Sequence, residues 1–418
     1  MAYPAKLLPI IALYGLLNHF VFAQGSLSIE EAVKIALERD PLISAYQARK
    51  EAYQDQAIAE DSLPDPQIKL GLMNLPSDTF KRDQEPMTQL QLGIQQMFPR
   101  GKTLELKSQR AINMSMFEEA RLENQKRKIT RDVRETWLEL YYLLNAERVV
   151  KNNRNFFKKL VSVTEQQYAA GRQRQQDVIR SELELGMLAD REINIRTQLE
   201  MTRTQLEKLV ANYASKINIE NELPEFNFIQ IHKFSSDNHP LIKMQNAMIQ
   251  VSEKNVALAK QSYKPSWMLD LTYGQREDAP NGTKRADFVS AMLMFDLPIF
   301  TADLQDKKVS ASKYRLNSAF NSREDAKRDL KRRWDTTLLR EVRLAKRAGI
   351  YDKSLVPKAK ENTKAALFSY QNGRGVFTAL MRAQIIELDT QLKALRLNVD
   401  HKKTQAQLLY FIGENNEI

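Results

Sequence analysis

Ile68-Lys69-Leu70-Gly71-Leu72-Met73 alternates an apolar residue with a polar, small or flexible one, and the same alternation returns three more times along the chain. Leu90, Leu92 and Ile94 alternate with Gln89, Gln91, Gly93 and Gln95. Trp267, Leu269, Leu271 and Tyr273 alternate with Met268, Asp270, Thr272 and Gly274. Val289, Ala291, Leu293, Phe295 and Leu297 alternate with Ser290, Met292, Met294 and Asp296. A period of two is strand spacing, because successive side chains point to opposite faces of a sheet. Segments of about 9 to 11 residues with one apolar face fit transmembrane β-strands. A soluble sheet with one buried face has the same period.

The chain's first residues favour the membrane reading. Met1 to Ala23 carries one charge, Lys6, followed by an apolar run that closes on Val21-Phe22-Ala23. That is the layout of a secretory signal peptide, expected over residues 1–23 and removed on export. No later segment approaches the roughly 18 to 20 apolar residues of a membrane helix. Lipid tolerates no open sheet edge, and four strands fall short of the usual minimum of about eight for a barrel. A barrel would therefore have to be shared between chains.

The strands belong to an internal duplication. Asp40-Pro41-Leu42-Ile43 recurs as His239-Pro240-Leu241-Ile242, an offset of 199. Pro66 recurs as Pro265 and Pro99 as Pro298 at the same offset. Tyr168-Ala169-Ala170-Gly171-Arg172 matches Tyr370-Gln371-Asn372-Gly373-Arg374 at an offset of 202, which implies a three-residue indel. Three units result: a first repeat over 24–212, an irregular linker over 213–238 and a second repeat over 239–418. Strands are expected at about 67–75, 88–98, 267–275 and 287–297, and helical hairpins at 102–212 and about 301–413.

Each repeat opens with a helix, the first from about Ser28 to Glu60, with Ser28 and Glu31 spaced as a capping box. The outgoing helix, from about Lys102 to Ala170, contains neither proline nor glycine. At 1.5 Å per residue it is about 100 Å long. A return helix, expected from about Asp177 to Asn212, has the seam Leu185, Leu188, Glu192, Ile195, Leu199, Thr202, Leu206 and Leu209. Its counterpart is Ile385, Leu388, Leu392, Leu395, Val399, Lys402, Ala406 and Leu409. Steps of three and four residues indicate left-handed coiled-coil packing. The lengths let the two shorter helices of the first repeat lie end to end along the outgoing one. The fold class is mainly α with a transmembrane β-barrel contribution.

Signal segment, duplicated halves, two strands per half and long hairpins together resemble the TolC-type outer-membrane efflux proteins. The most specific motif is Tyr168-Ala169-Ala170-Gly171, followed after five residues by Asp177-Val178-Ile179. Residues 63–76, with Glu85-Pro86-Met87 and Gln96 to Arg100, resemble the branch serving heavy-metal efflux pumps. The resemblance implies a homotrimer whose twelve strands form a β-barrel in outer-membrane lipid, continued by an α-barrel into the periplasm. It further implies docking on a periplasmic membrane fusion (adaptor) protein and an inner-membrane RND pump, with passive conduction of drugs, proteins or metal cations. The tip residues Gly171, Arg172, Gly373 and Arg374 would contact the adaptor. Asp177, Arg180, Ala379 and Arg382 would stand at the entrance. Family members with an acidic entrance ring carry acidic residues where this chain has Ala379 and Arg382, so the resemblance does not extend to that ring.

Other features each have two readings. Gly171 and Gly373 fit helix C-caps, and Asp177 fits an N-cap of the return helix. Met73, Met87, Met97, Met268, Met292 and Met294 suit either a thioether relay for copper or silver, or packing and pore lining. Trp267, Tyr273, Tyr263 and Phe98 suit either an aromatic girdle or ordinary packing.

Composition narrows the function classes. Thirteen glycines and fourteen prolines in 418 residues leave few turns, as long helices require. There is no cysteine, and His19, His232, His239 and His401 are too scattered for a zinc or triad site. No catalytic residue, cofactor site or metal site emerges, and an enzyme is not expected. The net charge of +11 invites a nucleic-acid reading. Export and the acidic residues interleaved in Arg323 to Arg347 point instead to a solvated helix face, with no nucleic-acid partner. An exported or cytoplasmic coiled-coil scaffold without a pore is the competing class.

Overall fold

A computed structural model of the chain describes residues 28–210, 222–226 and 234–412. The expected signal segment and most of the 213–238 linker lie outside the described residues.

The first repeat opens with α1 (Ile29–Arg39), and Ser28 and Glu31 form the reciprocal capping box their spacing suggests. The helix expected to run on to Glu60 breaks at Asp40, whose extended backbone precedes Pro41. Proline disfavours helical geometry in the residue before it, and Asp40 then caps α2 (Pro41–Asp61) through the Leu42 and Ile43 amides. The strands β1 (Gln67–Met73) and β2 (Gln89–Phe98) follow. Next come the 67-residue α3 (Thr103–Ala169) and the 36-residue α4 (Gln175–Val210). The second repeat contains α5 (Pro240–Gln261), β3 (Trp267–Gln275) and β4 (Phe288–Phe295). It ends with α6 (Gln305–Ile350), α7 (Val356–Gln371) and the 36-residue α8 (Phe377–Ile412).

The repeat correspondence locates the indel. α5 starts 199 residues after α2, whereas α6 starts 202 after α3 and α8 starts 202 after α4. The three additional residues therefore lie between Pro298 and Gln305, at the strand-to-helix junction, and the helical phase beyond is undisturbed. One difference is internal to a helix. Where α3 is continuous, α6 and α7 are separated by a π-helical turn, Tyr351–Leu355. Pro357 explains it: without an amide hydrogen, and with a ring that crowds the carbonyl four residues back, it opens the ladder.

The core runs along α3. Ile29, Ala32 and Ala36 of α1 meet Val133, Trp137, Leu206 and Val210, so α1 and the end of α4 share one stretch of α3. α2 lies on the first half of α3, with Lys50 on Glu119 at 2.8 Å and Arg110 on Glu60 at 3.5 Å. α4 lies on the second half, with Arg196 on Glu147 and Arg154 on Glu192, both at 2.8 Å. The end-to-end arrangement expected from the lengths is present. Of the α4 seam, Leu188, Glu192, Ile195, Leu199, Thr202 and Leu206 are buried, and Leu185 and Leu209 are half-buried. Buried Glu192 is neutralised by Arg154 and, at 2.7 Å, by Arg196.

Candidate functional site: the sheet faces and the hairpin turns

The four strands form one antiparallel sheet in the order β1-β2-β3-β4, so the repeats join where β2 pairs with β3. Within the chain the sheet is open. Register carries the sequence alternation across all four strands. Leu70 pairs with Leu92, Leu92 with Tyr273 and Tyr273 with Val289. One residue along, Lys69 pairs with Gly93, Gly93 with Thr272 and Thr272 with Ser290. One face is therefore apolar apart from Gln96 and Gln275, which pair with Leu269 and Leu90, and the other is largely polar.

The apolar face is uncovered. Leu70 is 79% exposed and Val289 83%, while Asp270 on the polar face is buried at 7%. A soluble half-buried sheet would show the opposite pattern, because exposed apolar surface of this extent is costly in water. At the end of the sheet nearest the helices, Phe98 pairs with Trp267 and Trp267 with Phe295, a row of three aromatics on the apolar face. Phe98 and Trp267 stack at 3.9 Å. Tyr273, six residues from Trp267, stands about 20 Å away along the strand, close to the height of the apolar band in membrane barrels. Phe295 was not among the girdle candidates; its parity with Val289 and Leu293 was the available signal. Among the described residues no helix is long and apolar enough to cross a membrane.

At the opposite end of the molecule the two hairpin turns are built alike. Gly171 and Gly373 have φ of +71° and +70°, the left-handed region where glycine carries no side-chain penalty. The amide of Arg172 donates to the Gln167 carbonyl at 2.8 Å, and that of Arg374 to the Ser369 carbonyl at 3.0 Å. The amides of Gly171 and Gly373 donate to the Tyr168 and Tyr370 carbonyls at 2.9 and 3.1 Å. Both turns are thus Schellman caps, in which the last helical carbonyls find partners.

The return helix begins two residues before the expected Asp177. Asp177 sits in the first turn of α4 rather than at its cap, where its charge still favours the helix dipole. Ala379 occupies the same place in the second turn: its amide donates to the Val376 carbonyl at 3.0 Å, as that of Asp177 does to Arg174. Arg172, Arg180, Arg374, Ala379 and Arg382 are exposed, and Asp177 is half-buried. Burial, with the Asp177 carboxylate nearby, pushes the Tyr370 phenol up. Asp177 of the first hairpin thus faces the second. Phe377, Leu380 and Met381 extend the core shared with Phe157 and Leu160, so the two tips pack side by side.

Half of the basic residues from Arg323 to Arg347 are held in ion pairs, most of them within the helix. Lys331 meets Asp335, and Arg332 and Arg333 both meet Asp329, each at 2.7 Å; Lys327 reaches Asp237 at the same distance. Among the described residues no group of three histidine or acidic side chains could hold a metal ion.

Neither a protein-family model nor a curated protein sequence matches the chain. Solved structures do. VceC, an outer membrane protein of Vibrio cholerae, superposes with a TM-score of 0.78 at 15% identity, over 93% of this chain and 97% of that one. The outer-membrane channel OprN gives 0.77 at 14% identity, over 92% and 89%. The Campylobacter jejuni CmeC outer membrane channel gives 0.76 at 13% identity, over 100% and 95%. The chain has the TolC-type fold of outer-membrane channels. The same likeness does not single out the heavy-metal branch.

Proposed function

We propose that this protein is the outer-membrane duct of a tripartite efflux system. The observation that carries the reading is the open four-stranded sheet, apolar on its exposed face and polar on the other, mounted on helical hairpins about 100 Å long. An open sheet with an uncovered apolar face is completed by further copies of itself in lipid. Three chains supply twelve strands, a permitted barrel size. In this reading the outward row of Phe98, Trp267 and Phe295 marks the periplasmic interface of the membrane. The polar face then lines the lumen.

The hairpin turns are the periplasmic end. Gly171, Arg172, Gly373 and Arg374 meet the adaptor protein, which couples the duct to an inner-membrane RND pump. Asp177, Arg180, Ala379 and Arg382 surround the entrance, which is basic overall. The protein itself does no chemistry; it conducts passively. Purified protein in planar bilayers is expected to give discrete conductance steps and to migrate as a heat-dissociable trimer. A soluble protein without conductance, absent from the outer-membrane fraction, sinks the reading in favour of a coiled-coil scaffold.

A further inference from the structure

Three methionines form a single cross-strand row at the helix-proximal end of the sheet. Met97 pairs with Met268, and Met268 pairs with Met294. Met292, two residues from Met294, shares its face and pairs with Asp270. The ladder places all four on the face that carries Lys69, Gln95, Thr272 and Ser290, not on the apolar face. Met97, Met292 and Met294 are 49%, 55% and 52% exposed. Removal of apolar area from water therefore does not account for them.

The surroundings suit a soft ligand set. The Gln95 side-chain amide contacts the Met268 sulfur, orienting it on this face. Asp270, opposite Met292, is engaged by Lys69 and by the Thr272 hydroxyl at 2.8 Å, and Asp296, two residues from Met294, is engaged by Arg100 and by the Ser266 hydroxyl at 2.7 Å. Hard oxygen donors at this level are thus already paired, and the thioethers are the ligands left over. Thioether sulfur selects soft monovalent cations such as copper(I) and silver(I) over magnesium, calcium or zinc. Direct ladder partners have Cβ atoms about 4.5 to 5.5 Å apart. Methionine has three rotatable side-chain bonds, so sulfurs from three adjacent strands can converge over the central one by rotamer choice alone.

We propose that Met97, Met268 and Met294, with Met292 alongside, form a binding site for copper(I) or silver(I) on the inner face of the sheet. As a way-station for cargo it rests on the duct reading. As a metal site it stands on the register and the exposure.

The test is calorimetric titration of silver(I) into the purified full-length protein. Exchange of Met97, Met268 and Met294 for leucine conserves volume and is expected to weaken silver binding by about 30-fold or more, from loss of the sulfur donors. Met268→Leu alone is expected to weaken it about tenfold. Met73→Leu, on the same face at the other end of the sheet, retains the wild-type affinity. Circular dichroism and heat stability report whether the triple variant folds; if it does not, the single variant decides. X-ray absorption of the copper(I)-loaded wild type is expected to show sulfur neighbours. Equal affinity in the wild type and the folded variants, or an oxygen- and nitrogen-only copper shell, overturns the site. Metal-free conductance of the wild type is read separately. Methionine-dependent binding without conductance overturns the duct and keeps the site, whereas conductance without such binding overturns the site alone.

Discussion

Lys69 on β1 makes its ion pair with Asp270 on β3, passing over the intervening strand at Gly93. A Cβ at Gly93 would lie 2.7 Å from the Thr272 hydroxyl, 3.2 Å from the Leu271 carbonyl and 3.2 Å from the Lys69 side chain. Glycine at this position lets one repeat reach the other across the sheet.

Gly93→Val is therefore expected to lower stability by about 1–3 kcal/mol, the usual cost of overpacking. Lys69→Met leaves the Asp270 carboxylate, which is 7% exposed, with the Thr272 hydroxyl alone and is also expected to destabilise, by stranding a charge rather than by crowding. Denaturant or heat dissociation of the assembled protein measures both. A Gly93→Val variant as stable as the wild type would show that the crossing does not require glycine.

The tip glycines need the left-handed conformation and nothing else, since no atom lies within 4 Å of a Cβ built at Gly171 or Gly373. Alanine at either position is expected to cost about 1 kcal/mol through backbone strain alone. Asparagine, which tolerates this region, is expected to cost less. Thermal unfolding of the four single variants checks the order, and the two turns should respond alike.

His239 replaces Asp40 as the cap of the equivalent helix, accepting the Leu241 amide on Nδ1 at 3.2 Å. Burial, with Arg127 nearby, pushes its pKa down to about 3, and Tyr410 packs edge-on at 5.1 Å. A depressed base binds fewer protons in the folded than in the unfolded chain. Its contribution is therefore full above the unfolded value of about 6.5 and falls as pH drops towards 3. At pH 5 the loss is about 2 kcal/mol relative to pH 7.5. His239→Asn keeps an acceptor and should flatten that part of the stability–pH curve, read by thermal unfolding at the two pH values.

Glu192 tests the coiled-coil seam. Arg154→Ala leaves the buried carboxylate with Arg196 only and is expected to destabilise by about 2–3 kcal/mol. Glu192→Leu combined with Arg154→Met supplies the apolar pair the seam otherwise has, and is expected to be neutral or stabilising. Urea unfolding of the single and double variants decides it; a double variant less stable than Arg154→Ala refutes the argument.

In the proposed duct, Arg180→Glu with Arg382→Glu is expected to shift the conducted current towards cations, because exposed charges at a narrow mouth would set the local ion concentration. Reversal potentials in asymmetric salt measure the shift.

The parts of this fold written in short-range patterns could be read directly. Strand parity, the Ser28–Glu31 box and the glycine turns are local, and each sits where its spacing indicates. The break at Asp40 was also local, and Pro41 was its sign. Strand ends are less legible: β4 stops at Phe295, although the Asp296 amide still donates to the Ser266 carbonyl and its carboxylate accepts the Ser266 amide and hydroxyl. The Lys69–Asp270 crossing and the methionine row depend on which strands are neighbours, information that no single segment carries. Pairing of β2 with β3 created both.

The π-turn at Tyr351–Leu355 gives the duplicated halves different handwriting. α7 buries Ala359 and Thr363, the counterparts of Phe157 and Val161 in α3, but leaves Asn362 exposed and Ala366 half-buried where α3 buries Leu160 and Thr164. Around the proposed trimeric ring of such hairpins, every second stave would present a barer surface. A sixfold pattern inherited from duplication would thereby be reduced to a threefold one, and a partner gripping the rim could tell one groove from the next.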